Sequence, residues 1–98
     1  MPMRITRVIW LKRFAEKIAV KHNVSGEEVE QTFLNRPHFE LQERGDVLGE
    51  DLYRATGRTD AGRYLVVFFI YKRLGRALVI SARAATKQER KRYGKKKV

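Results

Sequence analysis

Ninety-eight residues, 43% of them hydrophobic, with 22 Lys and Arg against 11 Asp and Glu for a net charge of +11, describe one small basic globular domain and exclude a second independent core. With no cysteine and two histidines, the chain excludes a disulfide framework, a thiolate nucleophile and a closed zinc site. The longest apolar run, Tyr64 to Tyr71, falls far short of the roughly 18 residues that a membrane span needs, and charges arrive too early for a signal peptide. The expectation is a cytoplasmic chain without a membrane partner.

Arg4 to Ile9 reads as an edge strand. WLKRFAEKIAVKH then places Trp10, Phe14 and Ile18 four residues apart, with Leu11, Ala15, Ala19 and His22 beside them, which is the stripe of an amphipathic helix. Asn23 is its stop. Ser25 and Glu28 form a capping box that opens a second helix, Glu27 to Leu34, with Val29, Phe33 and Leu34 as its buried edge, and Asn35-Arg36-Pro37 closes it because proline fits no helix interior. From His38 the period becomes two: Phe39 and Leu41 alternate with Glu40 and Gln42 as in a half-buried strand, and a loop from Asp46 to Glu50 follows.

Leu52 to Arg58 is the next strand, and Thr59-Asp60-Ala61-Gly62 supplies the residues of a hairpin turn. RYLVVFFIYK is apolar on both faces, Tyr64, Val66, Phe68 and Ile70 on one and Leu65, Val67, Phe69 and Tyr71 on the other, as a central strand covered on both sides requires. The terminal helix, a dimer mate or a protein partner is needed to cover the second face. ALVISAR follows the turn at Arg73-Leu74-Gly75, and strict alternation puts Leu78, Ile80 and Ala82 on one face and Val79, Ser81 and Arg83 on the other. Thr86 and Glu89 make a second capping box, opening a basic helix from Lys87 to Tyr93, with its continuation past Gly94 left open. The fold expected is α+β in a single domain, 1–98: two N-terminal helices packed on a four-stranded antiparallel sheet, then the basic C-terminal segment 87–98.

The charge is unevenly placed. Residues 72–98 hold Lys72, Arg73, Arg76, Arg83, Lys87, Arg90, Lys91, Arg92, Lys95, Lys96 and Lys97 against the single acid Glu89, while the preceding residues are nearly neutral. In the last helix cations point almost all round, with like-charge i,i+4 pairs that each cost roughly 0.2 to 0.5 kcal/mol, and Tyr93 is its one substantial apolar anchor. Self-packing does not explain such a segment; a polyanionic partner does. Lys87, Arg90, Lys91, Arg92, Lys95 and Lys96 are the candidate RNA-binding cations, and a solvated basic tail is the plain alternative.

His22 and His38 lie on different elements without ligand spacing, and no glycine-rich phosphate loop is present, so neither metal nor cofactor is expected. What remains is an arginine-rich constellation. Cleaving RNA without a metal needs an acceptor for the 2′-hydroxyl proton, cations for the pentavalent phosphate and a donor for the 5′-oxygen. Arg83, with Arg63 across the hairpin, suits the phosphate. Tyr93, Glu89 and His22 are all open as proton-transfer groups. The structural alternative, compatible with the first, is an Arg83–Glu89 ion pair that locks the last helix to the sheet.

These residues resemble a family. SARAATKQERKRY, preceded by GRYLVVFFIYKRLGRALVI and by Lys21-His22 at the end of the first helix, is similar to the BrnT group of type II toxin–antitoxin ribonucleases, most specifically in Ser81-Ala82-Arg83 followed by Thr86, Glu89 and Tyr93. The resemblance implies a RelE-like fold, metal-independent RNA cleavage that arrests translation, and a cognate antitoxin with a ribbon-helix-helix DNA-binding part, in a dimer or a hetero-oligomer with that antitoxin. It points to His22, Arg63, Arg83, Glu89 and Tyr93 as catalytic positions. The chain departs from the pattern at Leu11 and Asn23, where members commonly carry Asp after the tryptophan and Gly after Lys-His. The competing readings are a noncatalytic basic RNA- or DNA-binding module and an inactive toxin relative acting only in the antitoxin complex.

Overall fold

The computed structural model describes residues 3–47 and 50–97. Its elements are β1 (Arg7–Ile9), α1 (Lys12–His22), α2 (Gly26–Leu34), β2 (His38–Glu43), β3 (Leu52–Arg58), β4 (Tyr64–Lys72), β5 (Arg76–Ala84) and α3 (Lys87–Lys97). The strands form one five-stranded sheet in the order β1-β5-β4-β3-β2. Part of the expected 46–50 loop, residues 48 and 49, lies outside the described residues.

The expected four-stranded antiparallel sheet is corrected to a mixed one. The stretch from Arg4 does contribute an edge strand, but β1 pairs parallel to β5. The cause is a contact no local pattern contains: the Thr6 N–H donates to the Gly75 carbonyl at 2.8 Å and the Thr6 hydroxyl to the Leu74 carbonyl at 2.6 Å. Gly75 sits at φ 75°, and a β-carbon there would lie 2.7 Å from the Arg4 carbonyl oxygen. Only glycine permits that turn and that approach together.

Local signals set the helix ends. Asn23 takes the left-handed conformation at φ 53° and its N–H caps α1 through the carbonyls of Ile18 and Ala19. Ser25 and Glu28 complete their capping box at 3.1 Å in both directions. Trp10 precedes α1 rather than belonging to it, and its indole N–H donates to Glu30 at 3.2 Å. Leu34 is also corrected: Val29 and Thr32 are fully buried, whereas Leu34 is 80% exposed. The Thr32 hydroxyl fits inside because it donates to the Glu28 carbonyl one turn back.

β4 is central, as its two apolar faces demand. Toward α1 and α2 it presents Leu65, Val67 and Phe69, which join Ile18, Val29, Ala55, Ala77, Val79 and Ala82 in the core. Phe69 is the hub, with the rings of Phe33, Phe39 and Tyr53 at 5.2, 5.9 and 5.9 Å. On the opposite face α3 covers the end of β4, where Tyr64 meets Tyr93 edge to face at 6.1 Å. The strict alternation expected for β5 is broken by a bulge: Phe68 pairs with Ser81 but Phe69 with Val79, leaving Ile80 unpaired. Val79 thereby joins Ala77 and Ala82 on the core side, while Ser81 and Arg83 stay on the face of α3.

Candidate functional site

Arg83 stands near the C-terminal end of β5, opposite Val66 of β4, on the face that carries α3. Two residues further on the chain leaves the sheet and Thr86 caps α3, accepting from the Glu89 N–H at 3.1 Å while Glu89 accepts from the Thr86 N–H at 2.8 Å. That box places the Glu89 carboxylate directly over Arg83, which grips it with two parallel bonds of 2.8 and 2.9 Å. The planar, bidentate geometry is the strong form of the interaction. Arg83 also lies over the Phe68 ring, 5.6 Å from its centroid.

The pair does not stand alone. Arg54 of β3 reaches Glu89 at 3.4 Å and Glu40 of β2 at 2.7 Å, and Arg92 of α3 closes the row on Glu40 at 2.5 Å. Arg83, Glu89, Arg54, Glu40 and Arg92 therefore alternate in sign along one sheet face. The register puts them there, since Glu40 pairs with Arg54 and Arg54 with Phe68. Sequence reasoning missed Glu40 and Arg54; their signal was a charge on the noncore side of each strand, meaningful only once the register joined them.

The electrostatics follow from this row. The paired bond from Arg83 is the largest influence on Glu89 and, against the opposing effect of burial, holds its carboxyl down at about 2. Glu89 is thus a fixed anion at neutral pH, suited to orienting a cation and poorly suited to exchanging protons. Reciprocally, the Glu89 bond raises Arg83 further above its ordinary value. At Glu40 burial pushes the carboxyl up, but the Arg54 hydrogen bond and the charges of Arg54, Arg92 and His38 outweigh it and leave it below the ordinary range.

The other expected site residues separate. Tyr93 is buried, 4% exposed, and its hydroxyl donates to the carbonyls of Asn35 at 3.5 Å and Arg36 at 3.2 Å. It anchors α3 to the corner between α2 and β2. Arg63 points to the helix side of the sheet, where its guanidinium binds the Asn23 carbonyl at 2.7 Å, the His22 carbonyl at 3.4 Å and the Glu28 carboxylate at 3.1 Å. Arg63 thus secures the α1–α2 corner that contains His22, on the side away from Arg83. Glu28 responds in kind: burial raises its carboxyl, but the Ser25 backbone bond and Arg63 bring it below its ordinary value.

The candidate RNA-binding cations Lys87, Arg90, Lys91, Arg92 and Lys95 are exposed on α3. Arg90 lies 4.4 Å from the centroid of the Tyr64 ring. The side chain of Lys96 lies outside the described residues. Among the described residues no three His, Asp or Glu side chains gather where they could hold a metal ion, and no helix is long and apolar enough to cross a membrane. The arrangement offers a fixed arginine at a sheet end beside a run of exposed cations, which is suited to a phosphodiester backbone.

The family model described as the ribonuclease toxin, BrnT, of type II toxin–antitoxin systems matches residues 10–89. The crystal structure of the Brucella abortus ribonuclease toxin BrnT, at 1.1 Å resolution, superposes with a TM-score of 0.62 at 18% identity, covering 88% of this chain and 100% of that one. At that identity the likeness is one of fold. No curated protein matches the sequence.

Proposed function

The chain belongs to the BrnT family of ribonuclease toxins of type II toxin–antitoxin systems, and we propose that it is itself an endoribonuclease that cleaves RNA without a metal ion. In this reaction the 2′-oxygen loses its proton and bonds to phosphorus, the bond to the 5′-oxygen breaks, and that oxygen takes up a proton. The products are a 2′,3′-cyclic phosphate and a 5′-hydroxyl.

Arg83 meets the nonbridging oxygens, where charge accumulates in the pentavalent transition state. Glu89 is its positioning residue: pinned by the capping box and held at about 2, it fixes the guanidinium plane. Lys87, Arg90, Lys91 and Lys95 take phosphates flanking the scissile bond. The protein antitoxin that the family implies neutralises the toxin. The observation that carries this reading is that Arg83, although doubly bonded to Glu89, keeps 33% of its side chain open to solvent next to the exposed cations of α3.

One observation favours a second reading. With the Tyr93 hydroxyl engaged by two carbonyls and Glu89 firmly ionised, neither expected proton-transfer group of α3 is poised beside Arg83. A protein so built binds RNA through α3 without cutting it. Incubation of the purified chain with end-labelled single-stranded RNA in EDTA, beside Arg83→Ala, decides between them. Fragments ending in 2′,3′-cyclic phosphate that vanish with Arg83→Ala are expected. RNA that is retarded on a gel but intact in both preparations would replace the enzyme with the binding module.

A further inference from the structure

A groove on the helix side of the sheet, across it from Arg83, has a composition that the RNA reading leaves unused. Its floor includes Ile5, Phe33 and Phe39, and it runs between the segment before β1 and the corner that joins α2 to β2. Leu34 stands on its rim, 80% exposed at the end of α2. At this position the side chain carries the apolar surface of the groove out to its edge. Arg4 and Arg36, both exposed, line the same groove. Neither guanidinium has a hydrogen bond or ion pair among the described residues.

The backbone adds a third observation. Arg36 sits in the left-handed region at φ 52°, a conformation that residues with a β-carbon seldom adopt unless their surroundings impose it. In that conformation its carbonyl accepts from the Tyr93 hydroxyl at 3.2 Å. The groove thus joins an apolar floor, an exposed leucine and two exposed arginines that have no side-chain partner among the described residues.

We propose that this groove is the docking surface for an acidic amphipathic segment of the antitoxin, whose apolar residues cover Leu34 and the floor while its carboxylates pair with Arg4 and Arg36. The apolar floor, part aliphatic and part aromatic, suits the apolar face of an amphipathic segment, and the two exposed arginines on the rim, without a side-chain partner among the described residues, suit an acidic one. The inference rests on the family reading that a protein antitoxin exists, and it assigns that partner to the face opposite Arg83.

The test uses the full chain and the antitoxin encoded in its own operon, with affinity and dissociation rate measured by surface plasmon resonance. Leu34→Asp and the double variant Arg4→Glu/Arg36→Glu are each expected to weaken binding at least tenfold, the second more at low salt than at high. Lys91→Glu on α3 is expected to bind within twofold of the wild type. These positions are exposed, and circular dichroism of each variant checks that it is folded. Hydrogen exchange on the unaltered complex gives a readout free of mutation: new protection is expected at amides 33–39. If the wild type binds while both groove variants bind equally well, the docking surface is refuted and the toxin–antitoxin reading stands. If the wild type does not bind that antitoxin at all, both fall. If single-stranded RNA protects amides 33–39 and competes with the antitoxin there, the groove belongs to RNA and the proposal is overturned.

Discussion

Replacing Glu89 with glutamine keeps the shape of the side chain and removes the charge that Arg83 and Arg54 share. Its carboxyl falls from an ordinary 4.5 to about 2, and at about 1.4 kcal/mol per pKa unit this corresponds to roughly 3 kcal/mol of folding free energy. The Glu89 side chain is only 13% exposed, so solvent screening takes little from that figure. The sign is that of a depressed carboxylate. The stabilisation is fully present above the unfolded value near 4.5 and is lost as pH falls toward the folded value near 2. Urea unfolding of wild type and Glu89→Gln at a series of pH values measures it directly. The expected gap is about 3 kcal/mol at pH 7, a large share of the 5 to 15 kcal/mol typical of a domain, and it should close progressively below pH 4.5. A gap under about 1 kcal/mol at pH 7, or one of the same size at pH 3 as at pH 7, would refute the argument, because the stabilisation would then not reside in the ionised pair.

Further outcomes follow from the same geometry. Arg83→Ala should reduce RNA cleavage at least 100-fold, on the order of losing one transition-state donor, while a single-turnover assay shows RNA binding weakened far less. Lys87→Ala and Lys91→Ala should each lower the slope of log affinity against log salt for single-stranded RNA by about 0.7 if each meets one phosphate, and an unchanged slope would remove that residue from the interface. Gly75→Ala forces a β-carbon to 2.7 Å from the Arg4 carbonyl oxygen at φ 75°; a loss of about 2 kcal/mol or more, read as a drop of roughly 10 °C in melting temperature, is expected. Phe69→Ala, which empties the centre of a four-ring cluster, should cost about 3 to 5 kcal/mol in urea unfolding.

The elements governed by neighbouring residues were legible before any coordinates. Ser25 with Glu28 and Thr86 with Glu89 are capping boxes within four residues, Asn23 needs only its own tolerance of the left-handed region, and the apolar faces of β4 need only a period of two. Even the Arg83–Glu89 pair spans only six residues and was anticipated as the structural alternative at that site. The resemblance carried by Ser81 to Tyr93 named the family that the match over residues 10–89 establishes.

Other features depend on partners far apart in the chain. The parallel pairing of β1 requires Thr6 to find Leu74 and Gly75, and nothing around Arg7 encodes its partner's direction. The bulge at Ile80 moves Val79 to the core without altering the composition of β5. Leu34 and Thr32 exchange the burial that hydrophobicity assigns them because the helix spacing of Val29 and Thr32, rather than side-chain type, faces the sheet. Arg63 and Arg83, near neighbours at one sheet end, are divided between its two faces by strand alternation, and Glu40 meets Arg54 only through β2–β3 register. The sequence by itself determined the elements, their caps, the central strand and the basic α3, because each rests on propensities and periods within a few residues. Beyond the Arg83–Glu89 pair, which charges meet on which face of the sheet was decided by tertiary structure, because register and bulges are set by the packing of the whole core.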